Sequence, residues 1–249
     1  MLNNQTLTAK AASYKKDSRK EFDRAVAALI ALAFRYKWMG ADFLWDKDPE
    51  LNDEANRICR NLSDSLAEIA KRTAKEVMDE KLDNYDFDTA WEAGNDEYGT
   101  PVLTRFDQQG SFLKELLEVW VALAFVYSIP ESELRVLVSR YLSNPYASSL
   151  WRGLPKDILK WGKGFARNIA DQIALIGQDA IVAASRNAEW QNAIADGAQY
   201  YIRRRGSNYD CDECQDMANT PIPIEIPFEI PHARCMCYPE YHYNSIEEL

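Results

Sequence analysis

Four of the five cysteines and both histidines of this 249-residue chain fall between Cys211 and His242. Their order is Cys211-x2-Cys214, then seventeen residues, then His232-x2-Cys235-x-Cys237. Two ligand pairs separated by a loop of this length are the usual layout of a structural zinc site. The first pair suits a short turn whose backbone N–H groups face the thiolates. The second group offers three candidates, His232, Cys235 and Cys237, for two places, so the spacing leaves open which four of the five bind. Zinc would staple a tail too small to fold alone.

Other cysteine chemistries fit less well. Disulfides belong to secreted chains, and the N-terminus "MLNNQTLTAKAASYKKDSRK" has no apolar stretch of signal-peptide length. A redox Cys-x-x-Cys normally sits in a βα unit. A zinc deaminase places a glutamate two residues after its ligand histidine, whereas Ala233 and Arg234 follow His232. For a zinc-dependent enzyme or toxin-like protein the acid–base candidates are Glu213, Glu229 and His242, none in a motif. A nucleic-acid-binding zinc module would rely on Arg203, Arg204 and Arg205, yet from Ser207 onward nine acidic residues face one basic residue, Arg234. Phosphate binding needs the opposite balance, and the whole chain carries a net charge of −10. No strong nucleic-acid binding is expected.

The elements that must position these ligands are read from periodicity. "PIPIEIPFEIP" puts Ile222, Ile224, Ile226, Phe228 and Ile230 at every second position, with prolines and glutamates between them. Period two means extended chain with one apolar face, and four prolines restrict it to an edge strand or a polyproline-like arm. "AQYYIRRRG" reads as a short strand, with its arginines on a solvated edge. Upstream, the chain is expected to be mainly α, a long-helix bundle carrying a small C-terminal α+β module stapled by zinc. One helix runs from Tyr14 to about Trp45 on Phe22, Val26, Leu29, Ala33, Tyr36 and Phe43. A second follows Pro49 on Ala55, Ile58, Leu62, Leu66, Ile69, Thr73 and Val77, pairing antiparallel with the first. Residues 79–110 are acidic and read as an irregular connection with one short helix; the glycine spacing of a calcium-binding EF-hand loop is missing. Helices resume at "SFLKELLEVWVALAFVYS", after Pro130, and after Pro155. The last helix runs from about Gly164 to Gly197 on Ile169, Ile173, Ile176, Ala180, Ala183, Trp190 and Ile194. Cys59 reads as a small buried residue. The longest apolar runs cover about ten residues, half of a membrane span. Residues 1–140 form an N-terminal helical region, 141–249 a second region with the zinc module at about 198–242. The helical part, to residue 197, is expected to fold without the tail.

A long helix, a short strand, Cys-x-x-Cys, a Pro-containing loop and His-x-x-Cys-x-Cys together resemble the Mu F-like minor head (head morphogenesis) proteins of tailed bacteriophages. In that family the second cluster typically reads His-Pro-Asn-Cys-Arg-Cys. Here it is "HARCMC": His232, Cys235 and Cys237 match, and Ala233, Arg234 and Met236 depart. The upstream "IVAASRNAEWQNAIADG" is similar to the family's helix before the strand, where an Arg-Thr-Glu-like segment is usual. The resemblance covers roughly residues 140–240. It implies a non-enzymatic minor capsid component, made in the host cytoplasm and placed in the virion at or near the portal. Its implied partners are the portal protein and the major capsid or scaffolding protein, with no membrane.

Overall fold

A computed structural model describes residues 4–93, 102–143, 156–206, 212–228 and 235–245. It is mainly helical: α1 (Asn4–Arg35), α2 (Pro49–Asp79), α3 (Phe87–Ala93), α4 (Val102–Val126), α5 (Glu131–Ser143), α6 (Lys156–Ala195) and the single turn α7 (Asp212–Asp216). Three short strands, β1 (Tyr200–Arg204), β2 (Pro221–Pro223) and β3 (Tyr238–His242), form one antiparallel sheet in the order β2-β1-β3. Among the described residues no helix is long and apolar enough to cross a membrane. The chain divides into two compact units, Met1–Lys15 with Glu68–Arg105 and Leu175–Leu249, and Lys16–Ala67 with Phe106–Ala174.

In the second unit α2 starts as its sequence predicts. Asp48 accepts a hydrogen bond from the Leu51 N–H (2.9 Å), capping the helix, and Pro49 fills a first-turn site where no N–H is needed. The face of α2 carrying Leu51, Ala55, Cys59, Leu62 and Leu66 is buried. It meets α4 running the other way. Ser63 Oγ donates to the Phe106 carbonyl at 2.8 Å, and further along Lys114 Nζ reaches Asn52 and Asn56 at 2.5 and 2.7 Å. Gly110 permits this approach, since a Cβ there would fall 2.9 Å from the Cys59 carbonyl oxygen.

The first helix spans Asn4–Arg35, starting and ending about ten residues earlier than its apolar spacing predicts. It ends at Arg35, and two 3-10 turns (Lys37–Asp42 and Trp45–Lys47) follow, with Gly40 at φ 57°. A straight continuation would turn Trp45 away from the face shared by Met39 and Phe43. The turned chain buries all three: Phe43 packs edge-on against Trp45 and Phe125, and the Trp45 indole N–H donates to the Lys114 carbonyl (2.8 Å). Arg35 on α1 pairs with Glu54 on α2 in this unit, and Lys10 with Glu76 in the first unit.

In the first unit the acidic connection is more ordered than expected. Asn192 Oδ1 on α6 accepts from the backbone N–H groups of Asp83 and Asn84, and Gln191 Oε1 from that of Asp86. Asp86 then caps α3 through the Thr89 N–H (2.7 Å). Helix α4 already begins at Val102, so the irregular stretch stops short of Gly110; residues 94–101 lie outside the described set. Helix α6 begins directly after Pro155 rather than at Gly164. Of its expected stripe, Ile176 and Ala180 are buried and Ile194 is exposed, while the side chains of Ile169 and Ile173 lie outside the described set. Between Ala180 and Glu189 nearly the whole circumference is covered, including the ion pair of Arg186 with Glu189. Each charge there is desolvated, so the pair survives only as a pair.

Candidate metal centre

The tail module is launched from the end of α6. Gly197 adopts φ +85°, its N–H bonds the Ile194 carbonyl (3.0 Å), and the Ala198 N–H bonds the Ala193 carbonyl (2.9 Å). This is a Schellman cap, completed by burial of Ala193 and Ala198 in one cluster. The cap turns the chain directly into β1. Because β1 is the central strand, its arginines are not a solvated edge. Arg203 is buried, with its guanidinium 4.3 Å from the centre of the Phe228 ring. Arg204, on the opposite face, pairs with Glu240 and donates to Asn219 Oδ1. Arg203 is buried because Phe228 packs over its face, which the periodicity of β1 alone does not reveal.

The proline-rich segment begins as the expected edge strand and then departs from it. Pro221–Pro223 pairs antiparallel with β1, Tyr201 opposite Ile222. The chain then turns, the Ile226 N–H bonding the Pro223 carbonyl (3.1 Å). The turn breaks the single apolar face: Ile224 and Phe228 are buried, whereas Ile226 is 52% exposed. The Trp190 indole N–H of α6 donates to the Ile224 carbonyl (2.8 Å), fixing this turn to the helix. Ile230 lies outside the described residues.

Within this frame three of the five predicted ligands converge. Cys214 sits on α7, and Cys235 and Cys237 lead into β3. Their sulfurs all lie within 4.8 Å of one another, and all three side chains are buried. Cys211 and His232 lie outside the described residues. The three cysteines share a hydrophobic cluster with Tyr201, Ile224, Phe228, Ala193 and Ala198, flanked by Trp190, Ile222 and Tyr241. Cys214 Sγ and Cys235 Sγ are 3.7 Å apart and unbridged. A disulfide would require about 2.05 Å. Tetrahedral bonds of about 2.3 Å to a common metal set two sulfurs about 3.8 Å apart. The donor set therefore fits a metal ion.

Within the cluster Cys237 is the thiolate. The Cys235 thiol donates to it and holds its pKa well below the usual thiol range, with help from the Gly206 N–H, Cys214 and the positive charge of Arg203. Cys235, as the donor, is pushed up in turn, and burial adds to that. Arg203 lies beside the cysteines, where sequence reasoning put it on a solvated edge. The alternation of β1 sets it on the same side as Tyr201 but does not say that this side is buried.

Comparison with known proteins adds no relative: no family, no curated protein and no solved structure matches the chain.

Proposed function

We propose that this chain is a non-catalytic assembly protein whose C-terminal module is closed by one structural zinc ion, and that it acts as a minor head component of a tailed phage. The observation that carries the zinc reading is the cluster of Cys214, Cys235 and Cys237, buried together in the module's own core with their sulfurs within 4.8 Å of one another and the Cys214–Cys235 pair at 3.7 Å. The fourth ligand is Cys211 or His232. Zinc suits a thiolate-rich, redox-inert structural site, and its binding energy would add directly to folding. Burial of the three cysteines inside an apolar cluster supports a structural ion over a catalytic one, which needs a position open to substrate. Burial of Arg203 and pairing of Arg204 with Glu240 leave little of the arginine run for phosphate, which argues against the nucleic-acid module.

The head-assembly part rests on the family resemblance of the ligand pattern and the helix–strand lead-in. Its partners are then the portal protein and the major capsid or scaffolding protein, and its location is the virion. Metal analysis of protein purified under reducing conditions without chelator is expected to give about one zinc per chain. Less than a tenth of an equivalent refutes the zinc site. Co-expression with the portal protein encoded by the same genome is expected to yield portal rings carrying this chain. Rings without it, from cells holding both proteins in soluble form, refute the head role and leave the zinc site standing.

A further inference from the structure

A metal held by three thiolates carries excess negative charge. Zn2+ with three thiolates and a neutral histidine is a net monoanion, and with a fourth thiolate a dianion. Buried in an apolar cluster, that charge is costly unless a cation shares the interior. The module contains such a cation. Arg203 is 3% exposed and stacks on Phe228, a member of the same cluster as Cys214, Cys235 and Cys237. It follows Tyr201 by two residues along β1, so both side chains leave the same face, and Tyr201 also belongs to the cluster. The neighbouring Arg204 leaves by the opposite face for Glu240.

We propose that Arg203 is the positioning residue of the metal centre, a built-in counter-cation that offsets the excess negative charge of the metal–thiolate set. This rests on the zinc reading above. Arginine suits the place better than lysine in one respect: a planar, weakly hydrated guanidinium lies flat on an aromatic ring while its charge stays indoors. The role extends the usual outer-shell contribution, in which groups touching the ligands rather than the metal set its affinity.

The test uses the full chain with Arg203→Met, Arg203→Gln and Arg203→Lys. Zinc affinity is read by competition with a chromophoric chelator, and the sulfur-to-metal charge-transfer band is read after cobalt(II) substitution. The neutral variants are expected to bind one equivalent about 10–100-fold more weakly, with the band shifted to lower energy, because the sulfur lone pairs lose a nearby positive charge. The lysine variant is expected to retain most of the affinity and the native band. Native affinity and an unshifted band in a folded neutral variant would overturn the proposal, as would a lysine variant as weak as the neutral ones. If neither neutral variant folds, the lysine variant decides by the same two readouts. Native protein that binds no zinc refutes the metal reading itself, a different failure that takes this inference with it.

Discussion

At the scale of single residues, two positions show how tightly the interior is specified. Gly177 lies against Tyr14, and a Cβ added there would fall 2.0 Å from the Tyr14 ring. Tyr14 is wholly buried, so the ring has little room to retreat. Gly177→Ala is therefore expected to destabilise the protein by about 1–3 kcal/mol in urea titration, although alanine is the better helix former. A neutral or stabilised variant would contradict this packing. Cys59 carries a different constraint. Burial pushes its thiol from 9.0 to about 11. Below pH 9 the thiol is protonated in both folded and unfolded chains, and stability is unaffected. Between pH 9 and 11 the unfolded chain ionises first, so stability falls as pH rises, by on the order of 2 kcal/mol for this group. Cys59→Ala should lack that part of the decline when the two proteins are compared across the window.

Among the elements, the proline-rich segment separates packing from assembly. Its even-numbered isoleucines look equivalent in sequence, yet Ile224 is 8% exposed and Ile226 is 52% exposed. Ile224→Asp buries an unpaired carboxylate and is expected to cost on the order of 3 kcal/mol, with early proteolysis of the tail. Ile226→Asp is expected to stay within about 0.5 kcal/mol of the native protein. Equal effects would mean that the turn after Pro223 does not form. If Ile226 serves a partner, its loss appears in portal co-purification and not in stability. The prolines at 221 and 223 also supply no ladder donors, so β2 is poorly suited to recruiting a further strand.

For the whole molecule, the question is whether the tail is an appendage. The cluster around the cysteines includes Ala193 and packs on Trp190, both belonging to α6. The tail thus covers the end of α6, which bears on the expectation that residues 1–197 fold independently. Deletion of residues 198–249 is expected to expose this end of α6, giving dye binding and a lower, broader melt by circular dichroism. A truncated chain with a native-like cooperative melt would restore the appendage view. Much of this was legible in the sequence. Local rules sufficed for the helical character, the Asp48–Pro49 start of α2, the helix starts after Pro130 and Pro155, the strand at Tyr200–Arg204 and the grouping of the cysteines, because caps, proline stops and periodicity act over a few residues. Other features depended on partners distant in sequence. The helix break after Arg35 follows from burying Phe43 and Trp45 against α4. The central place of β1 follows from the strands on both sides of it, and the burial of Arg203 from Phe228 packing over its face. The turn that splits Ile224 from Ile226 follows from the Trp190 hydrogen bond. The sequence determined which residues are fit to bind a metal; only the tertiary structure decided that Cys214, Cys235 and Cys237 meet, because their convergence requires α7, β1 and the approach to β3 to pack on one face of the module.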